Sequence, residues 1–271
     1  MKYAVIEAFS DRPGNGNPAA VCFMERPLPA PLMQRAAAEL ALPETAFLTP
    51  WPDGFRLRWF TPAAEIDLCG HATMAAGYFV MNLLCPALTE VRFRTPAGIL
   101  PVREKDGLYE IELPARPPRR IAFPEEARRA LGLPPAEAWS SRDLIFVLSG
   151  EDAVRGYVPD YGAMSVLTRQ WLGVVITAKG KETDFVSRYF CPELADEDPV
   201  TGSAHASLVP LWSERLGKTE LTAAQLSPRG GRLLCEAGPA VRLAGKARLV
   251  SESGLSLSAQ KERKKINSLL T

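Results

Sequence analysis

The segment Glu65-Ile66-Asp67-Leu68-Cys69-Gly70-His71-Ala72 returns in altered form as Glu197-Asp198-Pro199-Val200-Thr201-Gly202-Ser203-Ala204. Each copy has a Glu, three further residues, a thiol or hydroxyl residue, and then a Gly and a polar residue that open a helix-like run. A glycine at the start of a helix lets a ligand approach the free backbone N–H groups at the positive end of the helix dipole. The repeat therefore predicts a duplicated fold whose halves meet around a small anionic molecule.

The segments that begin at the two glycines of the repeat are predicted to be the central helices of the two halves. Residues 70–84 are apolar on almost every side, which is typical of a helix buried inside a domain. Residues 202–216 predict a second helix, and Gly217 is suited to end it. Outside these two, the chain is mostly strand-like, with further helices predicted at 31–40 and 125–131. We therefore predict an α+β fold of two pseudo-symmetric domains, each a β-sheet or barrel wrapped around a central helix.

The predicted strands fall into two similar series. They cover residues 4–9, 19–24, 46–49, 55–60, 90–95, 98–104 and 109–113 in the first series, and 144–148, 172–178, 184–190, 221–226, 232–236, 241–244 and 247–251 in the second. Between the series, residues 114–120 are rich in proline and arginine and show no periodicity, as expected of a linker. This predicts domains at 1–114 and 115–255, followed by a tail at 256–271 that we expect to be poorly ordered, as chain termini often are.

Composition bounds the classes of partner. The 271 residues are 46% hydrophobic and 23% charged, as in ordinary globular proteins. A net charge of +1 gives no electrostatic reason to expect nucleic acid or an anionic membrane, and no apolar run approaches the roughly 20 residues that cross a bilayer. Because the N-terminus enters a strand pattern at once and the five cysteines are scattered, we expect no signal peptide and reduced thiols in a cytoplasmic protein.

Motifs for bound cofactors and metals are missing from the sequence. There is no G-x-x-x-x-G-K-[ST] or H-E-x-x-H, and Gly14-Asn15-Gly16-Asn17 lacks the third glycine and the helix of a dinucleotide site. Two histidines, His71 and His205, cannot form a His-rich metal site, and the spacing of Cys69 and Asp198 matches no common ligand pattern. We therefore expect neither a metal nor a cofactor.

Several side chains could carry proton chemistry, and each has a structural alternative. Glu44, between a proline turn and an apolar strand, is placed as a partly desolvated general base would be, but a Glu after Pro is more often a turn residue. His71 and Ser203 could be helix N-caps, although histidine is a poor cap. Asp198 lies in an acidic patch typical of a solvated loop. Cys69 precedes a helix whose dipole lowers a thiol pKa, although a buried structural cysteine is commoner.

Further motifs accompany the repeat. They are Gly14-x-Gly16-Asn17-Pro18-Ala19-Ala20-Val21, Glu44-Thr45-Ala46-Phe47, Arg58-Trp59-Phe60-Thr61-Pro62, Ser187-Arg188-Tyr189-Phe190 and Arg229-Gly230-Gly231. Together with the repeat, now read as 65–73 and 197–205, they resemble the PhzF-like family of phenazine-biosynthesis isomerases, which has the diaminopimelate-epimerase-like fold. The resemblance runs from about residue 3 to about residue 251. It implies two pseudo-symmetric domains with the site in the cleft between them, no cofactor and a homodimer.

The resemblance also implies roles for individual residues. Glu44 matches the residue that takes a proton from one ring carbon of a dihydro-hydroxyanthranilate and returns it to another. His71, Asp198 and Ser203 match residues that hold the polar groups of the substrate and assist proton movement. The remaining positions lie at the cleft, where backbone N–H groups can receive a carboxylate; these are Asn17, Gly70, Thr201 and Gly202.

One position departs from the wider fold. Epimerases of this fold use two cysteines, one before each glycine, whereas this chain has Cys69 and Thr201. A threonine hydroxyl with no adjacent base does not replace a thiolate at neutral pH, which favours a one-base proton shift through Glu44 and a supporting role for Cys69. Two alternatives stay open: an amino-acid epimerase or racemase, which needs a second acid–base group opposite Glu44, and a non-catalytic binding protein on the same scaffold. The substrate itself we expect to be small and anionic.

Overall fold

The computed structural model of the chain describes residues 1–132 and 137–255, so the predicted tail at 256–271 lies outside the described residues. The first half contains, in order, β1 (Lys2–Ala8), β2 (Asn17–Phe23), α1 (Ala30–Leu40), β3 (Glu44–Trp51), β4 (Gly54–Phe60), β5 (Glu65–Ile66), α2 (Gly70–Phe79), β6 (Glu90–Thr95), β7 (Gly98–Lys105), β8 (Leu108–Pro114) and β9 (Arg119–Ile121). The second contains α3 (Glu125–Leu131), β10 (Glu137–Ser140), β11 (Leu144–Val147), α4 (Glu151–Arg155), α5 (Tyr161–Met164), β12 (Val174–Lys179), β13 (Phe185–Cys191), β14 (Asp196–Asp198), α6 (Gly202–Leu216), β15 (Glu220–Gln225), β16 (Gly231–Glu236), β17 (Ala240–Gly245) and β18 (Ala247–Gly254).

The two halves repeat one order of strand pairing. In the first half β2 pairs in parallel with β3, β3 antiparallel with β4, and β4 in parallel with β6. In the second half β11, β12, β13 and β15 follow the same sequence of orientations. Each half then closes with an antiparallel meander, β6–β7–β8 and β15–β16–β17. The duplicated α+β fold predicted from the two glycine motifs is confirmed.

The halves are joined through their strands. β8 pairs with β17, β18 returns to pair with β1, and β9 pairs with β10. By the repeated order β9 corresponds to β18, so the last strand of each half completes the sheet that begins with the first strand of the other half. The prediction that 114–120 lacks regular structure is wrong in part, because Arg119–Ile121 forms β9. A three-residue strand is too short to show periodicity, and the domain division at residue 114 stays a prediction.

The two central helices lie inside these sheets. Every residue of α2 from Gly70 to Gly77 is buried, and the helix contacts strands on several sides, including β18 from the other half. A Cβ on Gly77 would overlap Val102 of β7, so the missing side chain lets helix and sheet approach closely. Buried side chains of α2 and α6 belong to one continuous apolar core. α2 continues as a single π-helical turn, Val80–Leu84, and the C-cap of α6 is Gly217 at φ +67°, as predicted.

The repeated Glu of the two motifs has a structural role that the sequence did not indicate. Glu65 in β5 accepts two hydrogen bonds of 2.6 Å from Arg58 on β4. Glu197 in β14 accepts bonds of 2.8 and 2.7 Å from Arg188 on β13. Bidentate guanidinium–carboxylate pairs fix orientation as well as distance. Each pair therefore holds the segment that enters a central helix against the neighbouring strand.

The elements that pattern analysis missed are short. β5, β10 and β14 have two to four residues, and α4 and α5 have five and four. Such elements depend on partners elsewhere in the fold, since they contain little more than one period of a helix or few alternations of a strand. In the part of the chain that the structure describes, no helix has the length and apolarity to cross a membrane. All five cysteines are free thiols.

Candidate active site

The central helices α2 and α6 meet at their first residues. A Cβ on Gly70 would lie 3.6 Å from Gly202 Cα and 3.2 Å from Ile111 Cδ1. The first residues of the two helices therefore lie within van der Waals reach of each other, and the expectation that the two glycines admit a ligand stays a prediction. Two adjacent N-termini still add their positive dipole ends at one place. His71 and Ser203, the second residues of the two helices, flank this junction.

The structural alternative for His71 and Ser203, that they are helix N-caps, is wrong. The N-cap residues are Cys69 and Thr201, each with extended backbone and no capping bond from its side chain. The sequence pattern misled because a polar residue after Gly is as suitable for the first turn as for the cap. The side chains of His71 and Ser203 are thus not occupied with helix N–H groups and can take part in the site.

Side chains one turn further along hold the cap residues. Thr73 Oγ1 donates a 2.6 Å hydrogen bond to the Cys69 carbonyl, and His205 Nδ1 lies 2.8 Å from the Thr201 carbonyl. Burial lowers the pKa of His205 to about 4, so at neutral pH it is an uncharged donor to that carbonyl. The second histidine therefore supports the start of α6.

Glu44, Cys69 and His71 form the first cluster of the site. His71 Nε2 lies 2.9 Å from Glu44 Oε2, and Cys69 Sγ lies 3.5 Å from His71 Nδ1. Burial by itself lowers the pKa of His71, but Cys69 and Glu44 raise it, and the balance lies well above the ordinary imidazole value. Glu44 Oε2 is a buried atom without an aligned hydrogen-bond donor among the described residues, so its contact with His71 is ionic.

Cys69 lies in this cluster as a thiol. Burial is the main cause that raises the pKa of Cys69, and the charge of Glu44 adds to the rise. Together they outweigh the lowering effect of the helix N-terminus that the sequence analysis considered. The donor atoms of Glu44, Cys69 and His71 all lie within 4.8 Å of one another, a grouping that could hold a metal ion. The sequence analysis considered Cys69 and Asp198 as possible metal ligands, whereas the structure groups Cys69 with Glu44 and His71.

Asn17 connects this cluster to Asp198. Its fully buried side chain donates from Nδ2 to Asp198 Oδ1 at 2.7 Å and to the Val200 carbonyl at 3.0 Å, and the same nitrogen lies 3.1 Å from His71 Nδ1. Because Asn17 begins β2 and Asp198 ends β14, the two halves of the fold share this contact. Asn17 Oδ1 is buried and has no protein partner in residues 1–132 and 137–255.

Asp198 is a partly buried member of this network, so the solvated-loop interpretation is wrong. Burial is the main cause that raises its pKa, to about 6, while His71 and hydrogen bonds from Thr201 and Asn17 act in the opposite direction. Thr201 Oγ1 donates to Asp198 Oδ2, and Gln225 Nε2 donates to the Asp198 carbonyl at 2.7 Å. The expectation that Thr201 has no adjacent base is therefore also wrong.

Two residues of the site carried no signal in the sequence. Gln225, at the end of β15, accepts a 2.9 Å bond from the Thr201 backbone N–H. Arg142, in the turn between β10 and β11, donates a 2.8 Å bond to Ser203 Oγ. They lie 24 and 61 residues from their partners and belong to no recognisable motif, so only the folded chain shows them.

This architecture is that of a racemase- and epimerase-like scaffold. A probable proline racemase from Agrobacterium radiobacter has a TM-score of 0.69 over 96% of this chain and 94% of its own at 9% identity, which shows likeness of fold alone. The chain belongs to the family described as phenazine biosynthesis-like protein, whose family model matches residues 6–253.

Relatives across the full length support this membership. An uncharacterized isomerase of Pseudomonas aeruginosa is 43% identical over 95% of this chain and 99% of its own length. The crystal structure of a phenazine biosynthesis PhzC/PhzF protein from Clostridium difficile has a TM-score of 0.90 and 46% identity, covering 95% of this chain and 100% of its own. The resemblance seen in the motifs is confirmed, and the protein is an enzyme of the isomerase type.

Proposed function

We propose that this isomerase moves a proton between two carbons of a small, carboxylate-bearing unsaturated substrate of the dihydroaromatic kind, with Glu44 as general acid and base and without a cofactor. The observation that carries the proposal is the position of Glu44 Oε2, a buried carboxylate oxygen that lies 2.9 Å from His71 Nε2 and has no other polar partner among the described residues. Such an oxygen keeps a lone pair for a proton on carbon, and burial strengthens its interaction with the reacting atoms.

The neighbours of Glu44 suit a reaction that develops negative charge. Glu44 takes a proton from one carbon, the electron pair of that C–H bond moves into the unsaturated system, and the double bond shifts. The proton on the Glu44 carboxyl group exchanges with solvent, and Glu44 then returns a proton to another carbon. The overall charge and atom count do not change. His71, whose pKa is raised well above its ordinary value, supplies a positive charge 2.9 Å from Glu44 Oε2. The N-termini of α2 and α6 add to this stabilisation of an anionic intermediate.

The other residues would hold the substrate. Backbone N–H groups in the first turns at Gly70 and Gly202 suit its carboxylate, with Thr201 at the entrance to α6. Asp198, whose pKa of about 6 lies near neutrality, can exchange a proton with a substrate amine or hydroxyl. Asn17 holds Asp198 through the 2.7 Å bond from Nδ2 to Oδ1 and packs beside His71.

Epimerisation is a second candidate, favoured by one observation. Asp198 is a carboxyl group in contact with Thr201, the residue that stands where two-cysteine epimerases of this fold have their second thiol. A two-base reaction would use Glu44 and Asp198 on opposite faces of one substrate carbon. The two candidates differ in where hydrogen from solvent enters the product.

Incubation with dihydroaromatic carboxylic acids and with amino acids in D₂O, followed by NMR, separates these possibilities. The proposal expects deuterium at a carbon that gained a proton, with a displaced double bond. Exchange at an α-carbon with inversion would establish epimerisation instead. Substrate binding without exchange in the wild type would favour a non-catalytic binding protein and refute the proposal. Glu44→Gln serves as the control, because it should bind the same compounds and leave them unexchanged.

A further inference from the structure

Among the residues that the structure describes, the Ser203 side chain has one hydrogen-bond partner, and that partner is a donor. Arg142 Nη2 donates to Ser203 Oγ at 2.8 Å, and the Ser203 hydroxyl has no acceptor in the part of the chain that the structure describes. An arginine side chain offers N–H groups and no acceptor. The Ser203 oxygen must therefore accept from Arg142, and the hydroxyl hydrogen must point away from it.

The guanidinium of Arg142 is held in this orientation by buried groups. Asp143, which is 1% exposed, accepts bonds of 3.3 and 3.2 Å from Arg142 Nε and Nη2. Tyr189 donates a 2.9 Å bond to the same carboxylate. A side chain at Gly173 would overlap the Tyr189 hydroxyl, so this position stays open for the tyrosine. A chain of hydrogen bonds therefore runs from Tyr189 through Asp143 and Arg142 to Ser203.

We propose that Arg142 is a positioning residue that makes the Ser203 hydroxyl a dedicated hydrogen-bond donor, so that the site selects an acceptor-only carboxylate over its neutral amide. This inference rests on the proposed function, because it assigns the substrate carboxylate to the N-terminus of α6. The amide has an N–H₂ group where the carboxylate has an acceptor, and a fixed donor opposes that group. Hydrogen bonds to charged groups contribute about 1.5–3 kcal/mol, which corresponds to ~10- to 100-fold in affinity.

The test uses 2-aminobenzoate and its isostere 2-aminobenzamide as probes, with affinities from calorimetry. Wild type should bind the carboxylate ~10-fold or more tightly than the amide. Arg142→Lys keeps a donor-only group and should keep most of this preference. Arg142→Gln presents an acceptor as well, lets the hydroxyl of Ser203 reverse, and should lower the preference to the part that comes from the helix N-termini. The matched control is Arg155→Gln, since Arg155 is exposed, pairs with Glu151 away from Ser203, and should leave the preference unchanged.

A double variant shows whether Arg142 acts through the serine. Ser203→Ala should lower the preference by itself to the level of Arg142→Gln, and adding Arg142→Gln should cause no further loss. Unfolding curves identify variants that have lost their fold. If Arg142→Gln is one of them, the comparison uses Arg142→Lys and Ser203→Ala against wild type. The inference is overturned if wild type binds neither probe or shows no preference, or if Arg142→Gln retains the full wild-type preference. A carboxylate preference without deuterium exchange would refute only the proposed function, and exchange without the preference would refute only this inference.

Discussion

Replacing Asp198 by Asn should stabilise the protein at alkaline pH. The pKa of Asp198 is raised from 3.8 to about 6, mainly by burial, and this value already includes the favourable effects of His71, Thr201 and Asn17. Such a rise corresponds to a cost of roughly 3 kcal/mol for the ionised side chain in the folded state. Asn keeps the shape and can still accept the bond from Asn17, so Asp198→Asn should gain up to about this amount above pH 6.

The stabilisation by Asp198→Asn should depend on pH. Because the folded state binds the proton of Asp198 more tightly than the unfolded state, this cost is absent below about pH 4 and develops as the pH rises to about 6. The difference in unfolding free energy between Asp198→Asn and wild type should therefore be large at pH 8 and vanish near pH 4. Denaturant titrations at several pH values measure it, and in thermal scans each kcal/mol should appear as about 2–4 °C for a chain of this size.

Asp184 offers a matched control of opposite sign. Its pKa is lowered from its ordinary value: burial opposes this, but hydrogen bonds from Lys218 and Thr222 outweigh it. Asp184→Asn should therefore lose stability at pH 8, and the loss should shrink as the pH falls through the acidic range. If Asp198→Asn were less stable than wild type at pH 8 while Asp184→Asn behaved as expected, the ionised Asp198 would be stabilising, and the argument from burial would be refuted.

Three further variants test the catalytic and structural roles. Glu44→Gln should keep the fold and lose ~10²–10⁴ in turnover, the usual contribution of a general acid–base group, and near-full turnover would eliminate Glu44 as the base. Cys69→Ser should retain most of the activity, because burial raises the pKa of the thiol and keeps it protonated; near-complete loss, or alkylation that inactivates only the unliganded enzyme, would contradict this. Gly77→Ala should destabilise the fold by about 1–3 kcal/mol through overlap with Val102, and Val102→Ala in the same chain should recover part of the loss in denaturant titrations; additive losses would contradict the packing argument.

Local patterns in the sequence predicted the parts of the fold that local physics controls. The apolar run after Gly70 predicted a helix buried on all sides, and α2 is buried from Gly70 to Gly77. The repeated motif predicted two halves with one central helix each, because both helices begin with the same glycine-led turn. Alternation of apolar residues located most long strands. These features depend on periods of 3.6 and 2 residues, which a single segment contains in full.

Contacts between distant segments decided the rest, and no segment contains them. The exchange of β9 and β18 between the halves depends on which sheet edges remain open after each half has folded. Asn17 reaches Asp198 across 181 residues, between the two halves, and Arg142 reaches Ser203 across 61 residues, within the second half, so both bonds exist only in the folded chain. The raised pKa of Asp198 comes mainly from its burial in the folded chain. The sequence by itself determined which residues were available for proton chemistry, whereas the tertiary structure determined their partners and charges, because desolvation and hydrogen bonding act through space rather than along the chain.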